Sequence, residues 1–294
     1  MVGRGWGRYP RASGRGLPGR DGRRRRLDSR EGRMNPQNFT LFFYVAALAF
    51  ALIYGGFQKR LLFWLTMAFA SAGFLVQTVR IAWLWGKLGY PPATNLHQLF
   101  EISAWAILAL YLCLYPLIRS KILTFFLMPL VMLIFLLGFM VPDILEKPKR
   151  FYFTPWFSIH IFLLVFGMAF FFLSFLFAAI FIMQDHSLRR HHHPSELPIP
   201  SLEEAEKWSS RLLLTGYPLF TVGLASAILY GILYGERKDW SPGLLEGASV
   251  LAWLVLGVAI YGLFSAKVHP RRRSWLVVAG AAFSVLIIIG IMWH

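Results

Sequence analysis

The sequence has little charge, one cysteine and few acidic residues for its length. Only 15% of its 294 residues are Asp, Glu, Lys or Arg, whereas 57% are hydrophobic, and this balance excludes a soluble globular domain of that size. The single cysteine, Cys113, lies inside an apolar run, which excludes a disulfide framework, a Cys-x-x-Cys redox pair and a thiolate metal cluster within one chain. The composition therefore predicts a polytopic integral membrane protein of the all-α class.

The motifs of common catalytic sites are also missing. There is no hydrolase nucleophile elbow, no P-loop and no zinc-protease motif, and no two carboxylates share one helical face within an apolar run. A mid-membrane Asp or Glu relay, which proton-coupled transporters use, is absent from the sequence as well. We therefore expect a binding or assembly factor rather than an enzyme, with a small-solute transporter as a weaker alternative.

Eight apolar runs are long enough to cross a bilayer, because about 20 residues at ~1.5 Å each span its ~30 Å hydrocarbon core. Each run must be a helix in lipid, since only internal hydrogen bonds satisfy its backbone there. No soluble domain fits between them, so residues 34–294 are predicted to form a single domain of eight transmembrane helices. The runs are roughly 39–57, 61–85, 97–118, 122–141, 157–183, 212–234, 246–266 and 274–293.

The longest connection, between the fifth and sixth runs, contains a helix-start signal. Ser201 is followed three residues later by Glu204, which is the spacing of a capping box. This pattern predicts a short amphipathic helix at the membrane surface, separate from the sixth span.

The net charge of +16 has two equal sources. Residues 1–33 hold 11 Arg and three acids, and residues 34–294 supply the other eight positive charges. The first segment is rich in Arg and Gly with almost nothing to bury, so we expect it to be disordered. It is not a signal peptide, because a full-length apolar run follows it. An RNA-binding arm is one interpretation; we favour Met34 as the true start and expect no nucleic-acid partner.

The distribution of Lys and Arg predicts the orientation in the membrane. The loops after helices 1, 3, 5 and 7 hold twelve basic residues, whereas the loops after helices 2, 4 and 6 hold six. Because basic loops stay in the cytoplasm, both termini are expected on the non-cytoplasmic side of a cell (plasma) inner membrane once residues 1–33 are set aside. If that tail is retained in the cytoplasm, the two signals conflict.

With this orientation, three histidines lie at the same outer level, and they are His97 opening helix 3, His160 opening helix 5 and His294 closing helix 8. Neutral imidazole is a common metal ligand, and paired histidines from facing helices hold haem iron axially. Three alternatives stand beside this interpretation. His160 only hydrogen-bonds a neighbouring helix, His97 caps a helix or bonds a loop carbonyl, and His294 is a frayed chain end.

Arg80 lies late in helix 2, where a guanidinium facing lipid would be costly. A structural ion pair with Glu101 is the favoured interpretation, and contact with a carboxylate of a bound ligand, such as a haem propionate, is the alternative. The chain is 17% aromatic, which would suit a porphyrin pocket and equally suits a lipid-facing surface.

Four segments resemble the CcsA-like cytochrome c assembly family. Residues 89–101, GYPPATNLHQLFE, are similar to its Gly-x-x-Pro-x-x-Asn-Leu-Tyr-Glu stretch, and the His160 helix ending at Gln184 resembles its histidine-led helix. Residues 211–223, RLLLTGYPLFTVG, are similar to its Gly-Phe-Pro-Leu-Leu-Thr-Leu-Gly segment. Trp253-Leu254-Val255 and then 271–275, RRRSW, resemble its last two helices, so the similarity covers roughly residues 60–294.

The resemblance implies haem handling at the outer face, with histidines beside a tryptophan-rich loop that presents haem for attachment to apocytochrome c. By position His160 matches the family's first external histidine, and His294 lies nearest to the second. The family's tryptophan-rich loop is reduced here to Trp240, and its membrane histidine in helix 7 falls at Tyr261. These departures place the chain nearest to the HemX-type branch.

The leading hypothesis is a cytochrome c biogenesis or haem-pathway membrane protein that binds or relays haem. His160 and either His97 or His294 would be axial ligands, and Arg80 and Trp240 would contact the porphyrin. The expected partners are haem, apocytochrome c and a second membrane subunit. The alternative is a haem-free scaffold that docks a tetrapyrrole-synthesis enzyme through basic loops such as Arg271, Arg272 and Arg273.

Overall fold

A computed structural model describes residues 36–143, 150–189, 200–234, 244–265 and 268–292. These residues form eight α-helices and one short 3-10 turn, Arg150–Phe153, and contain no strand. The helices are α1 Pro36–Phe57, α2 Arg60–Leu88, α3 Leu96–Ile118, α4 Lys121–Met140, α5 Pro155–Arg189, α6 Leu202–Tyr234, α7 Leu244–Phe264 and α8 Pro270–Met292. Each predicted span corresponds to one helix, so the all-α, eight-helix prediction is confirmed.

Length and hydropathy make six of these helices, α1 to α6, able to cross a membrane, and α7 contributes a shorter apolar segment, Ser249–Phe264. Large apolar side chains are exposed on the outside of the bundle, including Phe42, Val79 and Val258. Such a surface would aggregate in water, and in a bilayer it contacts lipid tails. The protein is a multi-pass membrane protein.

The predicted surface helix after Ser201 is not a separate element, and this part of the prediction was wrong. The capping box itself is present, with Glu204 N donating to Ser201 Oγ at 3.2 Å and Ser201 N donating to Glu204 Oε2 at 3.1 Å. The helix then continues to Tyr234, because Ala205, Ser209 and Leu212 follow one another along one buried stripe. Ser209 belongs to the α5 interface, where Ser174 Oγ donates to its carbonyl at 2.8 Å.

Helix α5 lies at the centre of the bundle. Its Phe172, Leu173 and Phe177 belong to the larger apolar core, which is built mainly with α1, α3 and α4. Its Phe171 and Ala178 belong to a second apolar cluster with α6, α7 and α8. One helix is therefore covered on opposite faces, which explains why its segment is apolar all round.

Three glycines let α5 and α6 approach closely. A Cβ at Gly216 would lie 2.6 Å from Phe170 Cβ and 3.0 Å from the Gly167 carbonyl oxygen. A Cβ at Gly167 would meet the Phe220 backbone at 2.9 Å, and one at Gly223 would meet Leu164 at 2.9 Å. In lipid, where the hydrophobic effect does not drive helices together, close packing at small residues is a main source of association.

We predict that Gly216→Ala destabilises the folded protein by about 1–3 kcal/mol, because the methyl group overpacks against Phe170 and the α5 backbone. Thermal unfolding in detergent, followed by circular dichroism, measures the loss. Gly86→Ala is the matched control, since a Cβ there meets nothing within 4 Å and alanine favours the helix. Equal melting temperatures for the two variants would contradict the close α5–α6 contact.

Candidate functional site

The start of α1, α3 and α5 and the end of α2 and α4 share one end of the bundle, called here the histidine end. Aromatic contacts define it: Tyr90 after α2 packs on Tyr152 and Phe153, with ring centroids 5.4 and 5.1 Å apart. Phe157 in the first turn of α5 packs on Tyr152 at 5.0 Å. His97 and His160 both lie at this end, as the sequence predicted.

His97 is buried, 4% exposed, and both of its ring nitrogens are used inside the bundle. Its Nδ1 lies 2.8 Å from the carbonyl oxygen of Gly138 and 3.0 Å from that of Val141, so Nδ1 carries the proton. Its Nε2 then accepts from the side-chain amide of Gln37 at 3.3 Å. These contacts match the alternative in which His97 bonds carbonyls where a neighbouring helix ends.

Glu101 joins His97 to polar groups of two other helices, α1 and α2. Its carboxylate forms an ion pair with Arg80, accepts from Gln37 Nε2 at 2.9 Å and lies 3.6 Å from His97 Nε2. The carboxylate side chain is 4% exposed and the Arg80 side chain 13%. The predicted Arg80–Glu101 pair is confirmed, which is the structural role that the sequence favoured for Arg80 over contact with a ligand.

Sequence reasoning missed Gln77 and Tyr44, which also belong to this network. Gln77 donates to the backbone oxygen of Glu101 at 2.9 Å and accepts from the Tyr44 hydroxyl at 2.5 Å. Gln77 and Arg80 are three residues apart on α2, so they share one face, and that spacing is a signal that could have placed both toward the interior. The side-chain amides of Gln37 and Gln77 are both buried, and both have hydrogen-bond partners, as buried amides require.

His160 is held differently, by α6 alone. Its Nδ1 lies 2.8 Å from the carbonyl oxygen of Gly223 and 2.9 Å from Ser226 Oγ. The Ser226 hydroxyl donates to the same carbonyl at 2.6 Å, so it has no proton for the ring. Nδ1 therefore carries the proton and donates to both oxygens.

The Nε2 atom of His160 has a lone pair in this tautomer and no hydrogen-bond partner among the described residues. A histidine that ligates iron through Nε2 ordinarily donates its other N–H to a carbonyl, which fixes the ring and raises its basicity. His160 meets this requirement, so the residue fits an axial haem ligand. His97 does not fit one, because a ligand on its Nε2 would displace Gln37 from a buried contact.

Trp156 and His160 both form a hydrogen bond with Ser226. Trp156 lies one turn earlier on α5, and its indole Nε1 donates to the Ser226 carbonyl oxygen at 3.3 Å. The Trp156 side chain is 42% exposed, so its ring offers an apolar surface beside the half-buried imidazole. Sequence reasoning gave Trp156 no role in the site, although its spacing of four residues from His160 places both on one face of a helix.

Trp240 and His294 lie outside the described residues. No described contact links His97 with His160, and no group of three or more metal-ligating side chains occurs in the described parts of the chain. Tyr261, where the resemblance places a membrane histidine, is 73% exposed.

The opposite end carries the basic side chains that the scaffold hypothesis invoked. Arg271 pairs with Asp185 at 3.4 Å, and Arg273 pairs with Glu206. These ion pairs tie α8 to α5 and α6. Of the three neighbouring arginines, only Arg272 has no ion pair within the part of the chain that the structure describes.

Comparison with known proteins gives two findings. Protein HemX of Brevibacillus brevis is 26% identical over 238 residues, which cover 77% of this chain and 82% of that protein. The family model described as "Cytochrome C assembly protein" matches residues 93–294, which include His97, Glu101, His160 and the α5–α6 pair. Since this match covers more than half of its length, the chain belongs to the cytochrome c assembly protein family.

Proposed function

We propose that this protein binds haem at the histidine end, with His160 as an axial ligand through Nε2, and relays it during cytochrome c biogenesis. Membership of the family gives the chain a role in a membrane haem pathway. The observation that carries the finer proposal is the Nδ1–H of His160, held by Gly223 and Ser226 so that Nε2 is left for a ligand.

The residues around His160 would perform three tasks. The α6 carbonyl and hydroxyl hold the imidazole in one tautomer and one orientation, and the exposed ring of Trp156 supplies apolar contact. Bound haem would supply the iron and the reactive vinyl groups that a cytochrome c acquires. The chain itself contributes binding and orientation, and a partner must keep the apocytochrome thiols reduced, because Cys113 is the only cysteine.

The histidine end faces the non-cytoplasmic side in this proposal, as the basic loops predict. That side is where apocytochrome c and a second membrane subunit would meet the bound haem. Trp240 belongs to the connection between α6 and α7, so chain order favours it as a further porphyrin contact. His294 keeps its place as a candidate second ligand, whereas His97 and Arg80 are left out, because His97 uses both ring nitrogens inside the bundle and Arg80 is paired with Glu101.

His160→Ala should abolish the Soret band of protein purified in detergent and reconstituted with haem, because it removes the ligand nitrogen. The absorption spectrum after gel filtration measures it. His186→Ala is the matched control, since His186 is an exposed histidine near the other end of the same helix and its loss should leave the band intact. An unchanged spectrum in the His160 variant would remove this residue from the site.

Ser226→Ala should weaken haem binding about 10-fold and shift the reduction potential of the bound haem, since His160 Nδ1–H loses one of two acceptors. Haem titration and a potentiometric titration measure the two effects. Thr215→Ala is the control on the same helix, because its hydroxyl donates to the Arg211 carbonyl and it lies about three helical turns before Ser226. A potential that does not move would show that Ser226 has no influence on the ligand.

His97→Ala should keep the Soret band but lower stability by about 1–3 kcal/mol, because it removes the buried hydrogen bonds that the imidazole makes with Gln37 and with the Gly138 and Val141 carbonyls. Thermal unfolding and the haem spectrum are recorded on the same preparation. A folded His97 variant without a Soret band would make His97 an iron ligand and would overturn the structural role described above.

A further inference from the structure

A cavity of about 600 Å³ opens at the end of the bundle opposite the histidines. It lies where the connection after α1, the connection after α3 and the start of α6 meet, and it is within the size range of small-ligand sites. The basic loops predict that this end faces the cytoplasm. Nothing in the proposed haem site uses it.

One wall of the cavity is cationic. Arg119 and Lys121 both line it, on either side of Ser120. Arg119 Nε donates to the Pro116 carbonyl at 3.0 Å, and its two terminal nitrogens have no hydrogen bond or ion pair among the described residues. The Lys121 ammonium lies 5.8 Å from the centre of the Phe63 ring, which holds it near the bundle.

Ser120 lies between these cations and is the N-cap of α4. Its side chain makes no capping bond, and its Oγ is buried without a hydrogen-bond partner among the described residues. A buried hydroxyl without a partner costs about 1–3 kcal/mol, and rotation about χ1 would turn the Ser120 hydroxyl into the cavity to bond a ligand atom. The first backbone N–H groups of α4 add positive partial charge at the same point.

Two residues that line the cavity have a left-handed backbone conformation, which is unfavourable for residues other than glycine. Gln58 and Arg119 have φ of 52° and 50°, and they are the non-glycine residues with positive φ in the described parts of the chain. Both line the cavity. Glycine is the residue that ends helices most cheaply in this conformation, yet each position carries a long polar side chain.

The opposite wall is apolar and aromatic. Tyr54, Phe177 and Trp208 line it, and the last two are stacked with ring centroids 6.3 Å apart. Glu204 also lines the cavity, but its carboxylate accepts from Ser201 N in the capping box. The charged lining groups, two cations and one carboxylate, therefore sum to +1, which one phosphodiester charge would neutralise.

We propose that this cavity binds a phosphate ester that carries an apolar group, with the phosphate on Arg119, Ser120 and Lys121. An anionic phospholipid of the inner leaflet has both parts of this chemistry, and a soluble phosphate ester has the first. The planar guanidinium and the Ser120 hydroxyl recognise the phosphate oxygens, and Tyr54 and Trp208 contact the hydrocarbon.

Native mass spectrometry of the full-length protein tests the proposal. The protein is titrated in detergent with dioleoyl phosphatidylglycerol, with dioleoyl phosphatidylcholine, and with the first lipid in the presence of glycerol 3-phosphate. We expect phosphatidylglycerol to bind at least ~10-fold more tightly than phosphatidylcholine, since only the former brings net charge −1. Competition by millimolar glycerol 3-phosphate would instead support a soluble ester as the ligand.

Arg119→Gly is the decisive variant, because glycine suits φ of 50° and keeps the turn while the guanidinium is removed. It should reduce phosphatidylglycerol binding to the level of phosphatidylcholine. Lys59→Gln, at the same end but outside the cavity lining, should change nothing. Should Arg119→Gly lower the yield of folded protein, the Arg119→Gln/Lys121→Gln double variant gives the same readout. Equal binding of both lipids by the wild type without ester competition, or unchanged binding by the variants, overturns the proposal.

Discussion

The close contact of α5 and α6 is the constraint on which the rest of the bundle depends. Gly167, Gly216 and Gly223 bring the two backbones together, and α5 then packs against α3, α4 and α8 with its remaining surface. Because His160 is held by the Gly223 carbonyl and the Ser226 hydroxyl of α6, a small separation of these helices would break the contacts that orient it. The orientation of the His160 imidazole therefore depends on the close helix packing at these glycines.

A second constraint acts on the polar groups at the histidine end. Lipid contains no water to bond them, so they must find their hydrogen-bond partners within the protein. Glu101, Arg80, His97 and Gln37 satisfy one another across three helices, and the network ties α1, α2 and α3 to the end of α4. A buried pair of this kind contributes little net stability but makes the loss of either partner costly. It therefore fixes how these helices are registered and occupies both nitrogens of His97, whereas Nε2 of His160 has no hydrogen-bond partner among the described residues.

The helices could be predicted from the sequence because each span must satisfy its own backbone in lipid, and apolar length alone reveals it. The continuity of α6 could not, since Leu202 to Arg211 is polar enough to be taken for a surface segment, and its packing against Ser174 and Phe177 of α5 is what makes it part of a bundle helix. The Arg80–Glu101 pair followed from the cost of an unpaired charge. The roles of His97 and His160 did not follow, because identical side chains at one level differ only in what the neighbouring helices offer them.

The hydroxyl of Ser226 and the carbonyl of Gly223 lie three residues apart on a single helix and meet the same ring atom. Any axial slide of α6 would withdraw both acceptors together, and the imidazole would lose electron-donating strength in the same movement. In the proposed haem complex, displacement of α6 would then change how firmly His160 holds the iron. A docking partner that moves α6 would release the proposed haem without contacting the haem itself.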